Sequence, residues 1–136
     1  MIEDGYIPIS RRIRKHRFWR EERAFSRFEA LFDMIISAQF SEAEYEAIID
    51  GVGRVRLTRG QLVGSRRYLA KRWNWGETKV RTFLKELKDD GTIKTHHVTH
   101  PGTQPITVIT LLNYERYNNK DARANPPSVP PLEPPP

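Results

Sequence analysis

The stretch from Gly60 to Leu112 constrains the fold of this 136-residue chain more than any other. It begins with a short apolar strand at Leu62 and Val63. Ser65 follows at a position suited to a helix N-cap, because its hydroxyl can accept a hydrogen bond from an unpaired N–H of the first turn. We therefore predict a helix from about Arg66 to Trp73.

A tight turn, Asn74-Trp75-Gly76, is expected to lead from this helix into a second one. From about Glu77 to Lys88, aliphatic side chains recur at the 3.6-residue spacing of a helix that packs on one face. Gly91 lies just beyond and can adopt the left-handed backbone that commonly ends helices. The two predicted helices are thus separated by only a few residues.

Two β-rich runs, Thr92–Thr99 and Pro105–Leu112, come after the second helix. Two helices joined by a tight turn and followed by a hairpin are the order of a winged helix-turn-helix. The predicted fold class is therefore α+β, with a three-helix core and a small β-hairpin wing in residues 1–118. Residues 119–136 are predicted to be a disordered tail or linker, because seven of the last eleven residues are proline.

A further core helix is predicted near Ser26, which forms a capping-box pattern with Glu29. The apolar side chains that follow recur at helical spacing and are expected to face the core: Phe28, Leu31, Phe32, Met34, Ile35 and Ile36. Residues 41–50 favour either a short helix capped by Ser41 or a surface loop. Residues 54–57 alternate like a half-exposed strand.

The positive charge of the chain is clustered. The net charge is +6, yet Ser65 to Lys88 alone holds eight basic and two acidic residues, and Arg11 to Arg20 holds six basic residues and no acid. Such clusters indicate a polyanionic partner, and nucleic acid is favoured over a membrane because no amphipathic anchor accompanies them. The alternative is a basic surface that only aids solubility.

The second predicted helix carries polar side chains opposite its aliphatic stripe, which suits docking in a major groove. The candidate DNA-binding residues there are Glu77, Thr78, Lys79, Arg81, Thr82 and Lys85. An ordinary amphipathic surface helix is the alternative. The basic run near the N-terminus is either an arm that contacts phosphates or a charged surface, with Arg11, Arg12, Arg14 and Lys15 as its candidates.

Three histidines near the hairpin tip, His96, His97 and His100, raise the question of a metal site. Metal sites normally need three or four ligands, and neither a cysteine nor a nearby carboxylate completes this set. We predict no metal and no cofactor, and expect the histidines to contact a nucleic-acid backbone or to have no role. No phosphate-binding glycine loop, nucleophile elbow or cysteine nucleophile is present, so no enzyme is predicted.

Large aromatic residues admit two interpretations. Phe18 and Trp19 stand in a basic run, where core packing is favoured over stacking on bases. Trp75 lies in the turn between the two helices and must pack inward or meet a partner. An exposed patch formed by these residues and Trp73 would favour a protein-interaction module. Near the C-terminal end, Asn113 is expected to cap a short final helix.

Four segments carry a family resemblance: GYIPISRRI, FWREERAFSRFEALFDMI, RGQLVGSRRYLAKRWNWGETKVRTFLKELKDDGTI and TVITLLNYERY. In this order, over about 110 residues, they resemble the winged-helix domain at the N-terminus of phage replication initiators and DnaD-type replisome organisers. The resemblance implies a domain that helps to open or mark a replication origin and recruits host helicase-loading factors.

The resemblance also assigns residues. It implies that Ser65, Arg66 and Arg67 begin the positioning helix, and that the wing contributes Lys94, His96, His97, His100 and Thr103. The chain departs from the family by ending in prolines, without the C-terminal module that many relatives use for single-stranded DNA or partners. Some organiser domains of this kind mainly self-associate, so the fold alone does not establish DNA contact.

The sequence as a whole predicts a non-enzymatic protein that binds double-stranded DNA, in the cytoplasm of a bacterial host and associated with the nucleoid. Candidate further partners are host helicase-loading or replisome proteins and a second copy of the chain. No membrane partner is predicted, because no apolar run approaches the ~18 residues of a membrane span. The alternatives are a self-assembling replisome module and a transcriptional regulator.

Overall fold

The computed structural model describes residues 7–41, 43–49, 53–99, 101 and 105–118, and these form a mixed α+β structure with two small antiparallel sheets. The helices are α1 (Arg27–Ser37), α2 (Arg66–Trp73), α3 (Glu77–Asp89) and α4 (Tyr114–Tyr117), and a 3₁₀ helix spans Arg11–Lys15. The strands are β1 (Tyr45–Ile49), β2 (Gly53–Leu57), β3 (Gln61–Val63), β4 (Ile93–Val98) and β5 (Ile106–Leu111). The predicted tail, 119–136, lies outside the described residues.

Helix α1 begins at the predicted capping box. Ser26 Oγ accepts from the Glu29 N–H at 3.1 Å, and the Glu29 carboxylate accepts from the Ser26 N–H at 2.8 Å. The expected inward face is partly wrong, because Phe28 is 72% exposed whereas Ala30 and Met34 are fully buried. Ala30, Asp33 and Met34 lie at the spacing i, i+3 and i+4 and form the inward face, and Phe28 lies on the opposite side of the helix.

Residues 45–49 form strand β1, so the prediction of a helix or a loop over 41–50 is wrong. β1 pairs with β2 in register Tyr45 to Leu57. Two cross-strand ion pairs support this hairpin, Glu46 with Arg54 at 3.2 Å and Glu44 with Arg56 at 3.6 Å. Taken alone, the acidic residues of this segment resemble those of a surface helix. In the structure, Glu44 and Glu46 form ion pairs with Arg56 and Arg54 of β2, and these pairs stabilise the hairpin. The half-exposed strand at 54–57 is confirmed, since Val55 and Leu57 are buried.

The second sheet has the strand order β3-β5-β4. Its central strand, β5, is covered on both faces, which explains why it is almost continuously apolar. Ile109 and Leu111 join the helices in the main core. Ile106 and Val108 pack with Val55 of β2 in a second cluster. The sheet therefore separates the helical layer from the β1–β2 hairpin.

Among the described residues, one carboxylate is buried, that of Asp33 on α1, which is 2% exposed. Arg72 donates to it from Nε at 2.6 Å and from Nη2 at 2.8 Å, and Trp73 Nε1 donates at 2.9 Å. These hydrogen bonds raise the pKa of Arg72 above its ordinary value. Asp33 thereby fixes α1 against the C-terminal half of α2.

The C-terminal end of the described chain packs against the turn before β3. The buried Tyr114 hydroxyl accepts from Arg11 Nη2 at 2.8 Å, and Arg59 Nε donates to Glu115 at 2.5 Å. The short final helix is confirmed, but Asn113 does not cap it with its side chain. Among the described residues, no helix has the length and apolar character needed to cross a membrane.

Candidate nucleic-acid interface

Helix α2 starts with two exposed arginines, Arg66 and Arg67. Ser65 caps it as predicted, and its Oγ accepts from the Tyr68 N–H at 3.1 Å. The first turn contains no acidic residue, so the positive end of the helix dipole coincides with two positive side chains. The positive end of the dipole and the two arginines repel one another. A negative group placed there would relieve this repulsion and accept hydrogen bonds from the N–H groups that point out of the helix.

The turn between α2 and α3 has a fixed geometry. Asn74 adopts the left-handed conformation, with φ 58° and ψ 48°. Trp75 packs inward at 8% exposure, its ring lying 5.0 Å from that of Trp73 and 5.3 Å from that of Phe83. Its Nε1 donates to the Phe25 carbonyl at 2.7 Å. The inward-packing interpretation of Trp75 is therefore confirmed, and the angle between the two helices is set by a buried aromatic cluster.

Helix α3 presents three distinct surfaces around its buried stripe of Val80, Phe83, Leu84 and Leu87. The predicted recognition residues are divided among them. Glu77 and Arg81 lie on one flank, together with Lys88. Thr78, Thr82 and Lys85 lie on the outermost face by their spacing. Lys79 lies on the opposite flank, with Nζ 4.3 Å above the Trp75 ring.

A groove of about 470 Å³ joins the first flank of α3 to the start of α2 and to the β4–β5 hairpin. Among the described residues, four cationic side chains line it against one carboxylate, that of Glu77. The cations are Arg66, Arg67, Arg81 and Lys88. Ser65 lines it as well, so the groove combines hydroxyl and cationic donors from two helices. We call this feature the basic groove.

The hairpin divides the predicted wing residues between two faces, since side chains alternate along a strand. Thr95, His97 and, across the pair, Thr107 line the basic groove. Thr107 Oγ1 lies 3.3 Å from His97 Nδ1, which links the two strands. Lys94 and His96 lie on the other face by this alternation. The remaining candidates, His100 and Thr103, are outside the described residues.

The predicted basic arm is not one continuous surface. Arg11 donates to the Ile36 carbonyl at 3.0 Å and to Tyr114, and its guanidinium lies 4.5 Å from the centre of the Phe40 ring. Arg11 is therefore engaged in contacts within the protein that hold the 3₁₀ helix against α1 and α4. Arg14 lines a separate cavity next to Asp33 and Arg72. Arg12 and Lys15 are exposed.

Two other cations of this surface, Lys85 and Arg27, form ion pairs with nearby carboxylates. Lys85 Nζ lies 2.8 Å from Asp89 Oδ2, one helical turn along α3, and this hydrogen bond raises the pKa of Lys85. Arg27 at the start of α1 pairs with Glu86 of α3. Both pairs are well exposed, so each contributes little to stability and can open when a stronger anion approaches.

Three residues that line the basic groove were not singled out as DNA-binding candidates: Lys88, which the sequence places on the polar face of the second helix, Thr95, which falls within the predicted wing from Lys94 to Thr103, and Thr107. Lys88 could have been found, because it lies eleven residues after Glu77 and seven after Arg81, on the same side of the helix. The contribution of Thr95 and Thr107 depends on how the hairpin packs against α3, which no local pattern specifies. Within the described residues, no three His, Cys, Asp or Glu side chains are grouped as a metal ion would require.

Phe18 and Trp19 differ in their environments. Trp19 is half-buried, with its ring 5.1 Å from that of Phe25 and 5.7 Å from that of Phe32. Phe18 is 59% exposed, so the expectation that it fills the core is wrong. The turn that follows the 3₁₀ helix points its two neighbouring aromatics in different directions, and only Trp19 reaches α1.

Comparisons of the chain with protein-family models, with curated proteins and with solved structures return no match. A binding function is therefore inferred from the geometry and charge of the described surfaces.

Proposed function

We propose that this protein is a winged-helix protein that binds double-stranded DNA through the basic groove and the outer face of α3. In this proposal α1, α2 and α3 are the three-helix core, α3 is the recognition helix and the β4–β5 hairpin is the wing. The order of these elements and the hairpin's position beside α3 support it.

The observation that carries the proposal is the convergence of Arg66, Arg67, Arg81 and Lys88 on one groove. The four cations come from two separate helices, and among the described residues that line the groove only Glu77 is acidic, so the like charges repel one another in the free protein. A phosphate backbone offsets this repulsion and accepts charge-assisted hydrogen bonds from arginine and lysine. Ser65 and the first turn of α2 supply further donors at the same place.

The outer face of α3 is proposed to meet base edges. Thr78 and Thr82 are short, exposed hydroxyl residues one turn apart, and Lys85 continues the same face. Hydroxyl side chains can donate to or accept from base edges in the major groove. Lys79, Lys94 and His96 lie on other surfaces, so the proposal assigns them no direct role.

The biological setting that we propose is replication initiation, with a bacterial host's helicase-loading or replisome proteins as further partners. This part is supported by the sequence resemblance to phage replication initiators alone. A transcriptional regulator would use the same groove, and the two roles differ in which DNA is preferred. An initiator is expected to prefer a site within its own coding region over random duplex.

Fluorescence anisotropy on labelled duplexes tests the binding proposal. The protein should bind random duplex at about 50 mM salt and lose affinity steeply by about 200 mM, because phosphate contacts release counterions. A Thr78→Ala/Thr82→Ala variant should keep its affinity for random duplex and lose any preference for the coding-region DNA. Absence of binding at the lower salt concentration would refute the proposal.

A second candidate function, self-assembly, has one observation in its favour. Phe28 is 72% exposed and stacks on the half-buried Phe32, with ring centres 6.2 Å apart. The buried positions of Trp73 and Trp75 remove the larger aromatic patch that this function would have used. Light scattering of the wild type and of Phe28→Ser distinguishes the cases, since a dimer held by this face should become monomeric in the variant.

A further inference from the structure

Phe18 is an exposed aromatic side chain in a cationic segment that lies apart from the basic groove. Its side chain is 59% exposed, in the turn that follows the 3₁₀ helix. Residues 11–20 contain six basic residues and no acidic one, and none of these described residues lines the basic groove. The proposed duplex-binding surface therefore leaves Phe18 without a role.

The turn around Phe18 is held in place by hydrogen bonds and by the neighbouring Trp19. The Phe18 N–H donates to His16 Nδ1 at 3.1 Å, and the Arg20 N–H donates to the His16 carbonyl at 3.1 Å. Trp19 packs its ring on α1, and its carbonyl accepts from Arg23 Nη1 at 2.6 Å. A side chain on a fixed turn loses little conformational freedom when a ligand binds, so Phe18 is preorganised.

Four exposed cations of this segment are available to an anionic ligand. A 3₁₀ helix has three residues per turn, so its exposed arginine and lysine, three apart, share one face. None of the four cations forms an ion pair with a described residue. Glu21 and Glu22 follow the segment, which leaves an excess of two positive charges. The four cations are Arg12, Lys15, Arg17 and Arg20.

The contacts of the Phe18 ring match the two parts of a nucleotide. The Arg17 guanidinium lies 5.0 Å from the ring centre, and the His16 ring meets Phe18 edge-on with the ring centres 5.0 Å apart. An exposed cation–π contact is weaker than the stacking of a base on an aromatic ring, so a base can displace Arg17. The released guanidinium can then pair with a flanking phosphate.

The ligand that fits this surface is an unpaired strand. Bases in a duplex are stacked on both faces, so a protein ring reaches a base face only where a base is unstacked. Between Arg11 and Arg20 the well-exposed large apolar side chains are Phe18 and the 37%-exposed Ile13. Two such side chains offer little apolar area for a membrane or a protein partner.

We propose that Phe18 is the centre of a binding site for single-stranded DNA, in which an unpaired base stacks on its ring and Lys15, Arg17 and Arg20 meet the flanking phosphates. The site does not rest on the proposed duplex binding, because none of its residues lines the basic groove. Only the choice of DNA over RNA rests on it, since the same chain carries the groove proposed for duplex DNA.

Fluorescence anisotropy with a labelled oligo(dT) of about 12 nucleotides, which forms no duplex with itself, tests this site. The wild type should bind it at about 50 mM salt, and an unlabelled oligo(rU) of equal length should compete no better than oligo(dT). Vesicles of equal parts phosphatidylcholine and phosphatidylserine test the membrane alternative in the same buffer.

Two substitutions of Phe18 measure the stacking contribution. Phe18→Leu keeps an apolar side chain and removes the aromatic face, so it should weaken oligo(dT) binding about fivefold or more. Phe18→Trp should bind at least as tightly as the wild type, because the ring is larger. Phe28→Leu is the matched control, since Phe28 is 72% exposed on α1, and it should leave the affinity unchanged.

The cations are tested by the salt dependence. Arg17→Gln/Arg20→Gln should make the slope of log affinity against log salt concentration shallower by about 1.4, because each phosphate contact on a single strand contributes about 0.7. Thermal unfolding reports the fold of each variant. Phe18→Leu should leave duplex binding unchanged, so failure of duplex binding and failure of this site are distinguishable.

Saturable oligo(dT) binding that weakens in Phe18→Leu but not in Phe28→Leu would support the site. Absence of binding at about 50 mM salt would overturn it, and binding to the vesicles alone would make this surface a membrane contact instead. An affinity that Phe18→Leu does not change, or an equal loss in both leucine variants, would also overturn it. Tighter binding of oligo(rU) would overturn DNA as the ligand.

Discussion

Of the described residues, Asp33 carries the one buried carboxylate, and its role follows from its position on α1. Ala30, Asp33 and Met34 occupy the helical spacing i, i+3 and i+4 and are all buried. A charged residue within a buried stripe indicates a buried partner, and the sequence contains this signal. It does not indicate that the partners are Arg72 and Trp73, about forty residues away, because that pairing depends on how α1 crosses α2.

Replacing Asp33 with Ala should lower the free energy of unfolding by about 3 kcal/mol. This is the lower end of the range for breaking a buried ion pair, since the Arg72 side chain keeps 33% exposure. Urea unfolding monitored by tryptophan fluorescence measures the change. Asp89→Ala, which breaks the exposed pair with Lys85, is the control and should change stability far less than Asp33→Ala does. Equal effects of the two substitutions would contradict this account of Asp33.

Helix α1 shows that an element defined by local hydrogen bonds can be predicted from the sequence. Its capping box was predicted from Ser26 and Glu29 alone, because both hydrogen bonds join residues three apart. Strand β1 was missed, because its stabilising contacts are to β2 and two of its five residues, Glu46 and Ala47, have high helix propensity. Helices α2 and α3 were predicted nearly to the residue because their caps and periodicity, like the capping box of α1, are local signals.

The capping box should make the stability of α1 depend on pH. Folding lowers the pKa of Glu29 below its ordinary value of 4.5, chiefly through the hydrogen bond from the Ser26 backbone and also through Arg23. Its stabilising contribution is therefore fully present above pH 4.5 and is lost as the pH falls through the lower native pKa. Urea unfolding from pH 7 to pH 3 should show the wild type more stable than Glu29→Gln at neutral pH, with the difference vanishing in acid. A constant difference would contradict this mechanism.

A substitution at the start of α2 should change the stability of the free protein and its affinity for DNA in opposite directions. Arg66→Glu places a negative charge at the positive end of the helix, so it should stabilise the free protein by about 0.3–1 kcal/mol. The same substitution should weaken duplex binding, because it removes a phosphate contact and adds repulsion. Thermal unfolding and anisotropy on one preparation measure both effects. A variant that is less stable and binds as well as the wild type would count against the proposed role of Arg66.

At the scale of the whole molecule, the sequence predicted most of the elements, with β1 missed, but not how the elements share surfaces. The mixed α+β class, both central helices and the β4–β5 hairpin follow from caps, turns and periodicity. The division of α3 into three surfaces follows from packing, because the hairpin lies beside Arg81 and Lys88 while Trp75 lies beneath Lys79. The predicted recognition residues are therefore all exposed but do not form a single face.

The central claim is that the basic groove, rather than the overall positive charge, binds duplex DNA. Two double variants with equal charge separate these possibilities. Arg81→Ala/Lys88→Ala alters the groove. Arg54→Ala/Arg56→Ala removes the same charge from exposed positions on β2.

The measurement is the slope of log affinity against log salt concentration, obtained by anisotropy on one duplex for the wild type and both variants. The account predicts that the groove variant binds more weakly and that its slope is shallower by about two, since each lost phosphate contact contributes about 0.9. The β2 variant should retain the wild-type slope. Equal slopes in all three proteins, or an equal loss in the two variants, would contradict the groove as the DNA-binding surface.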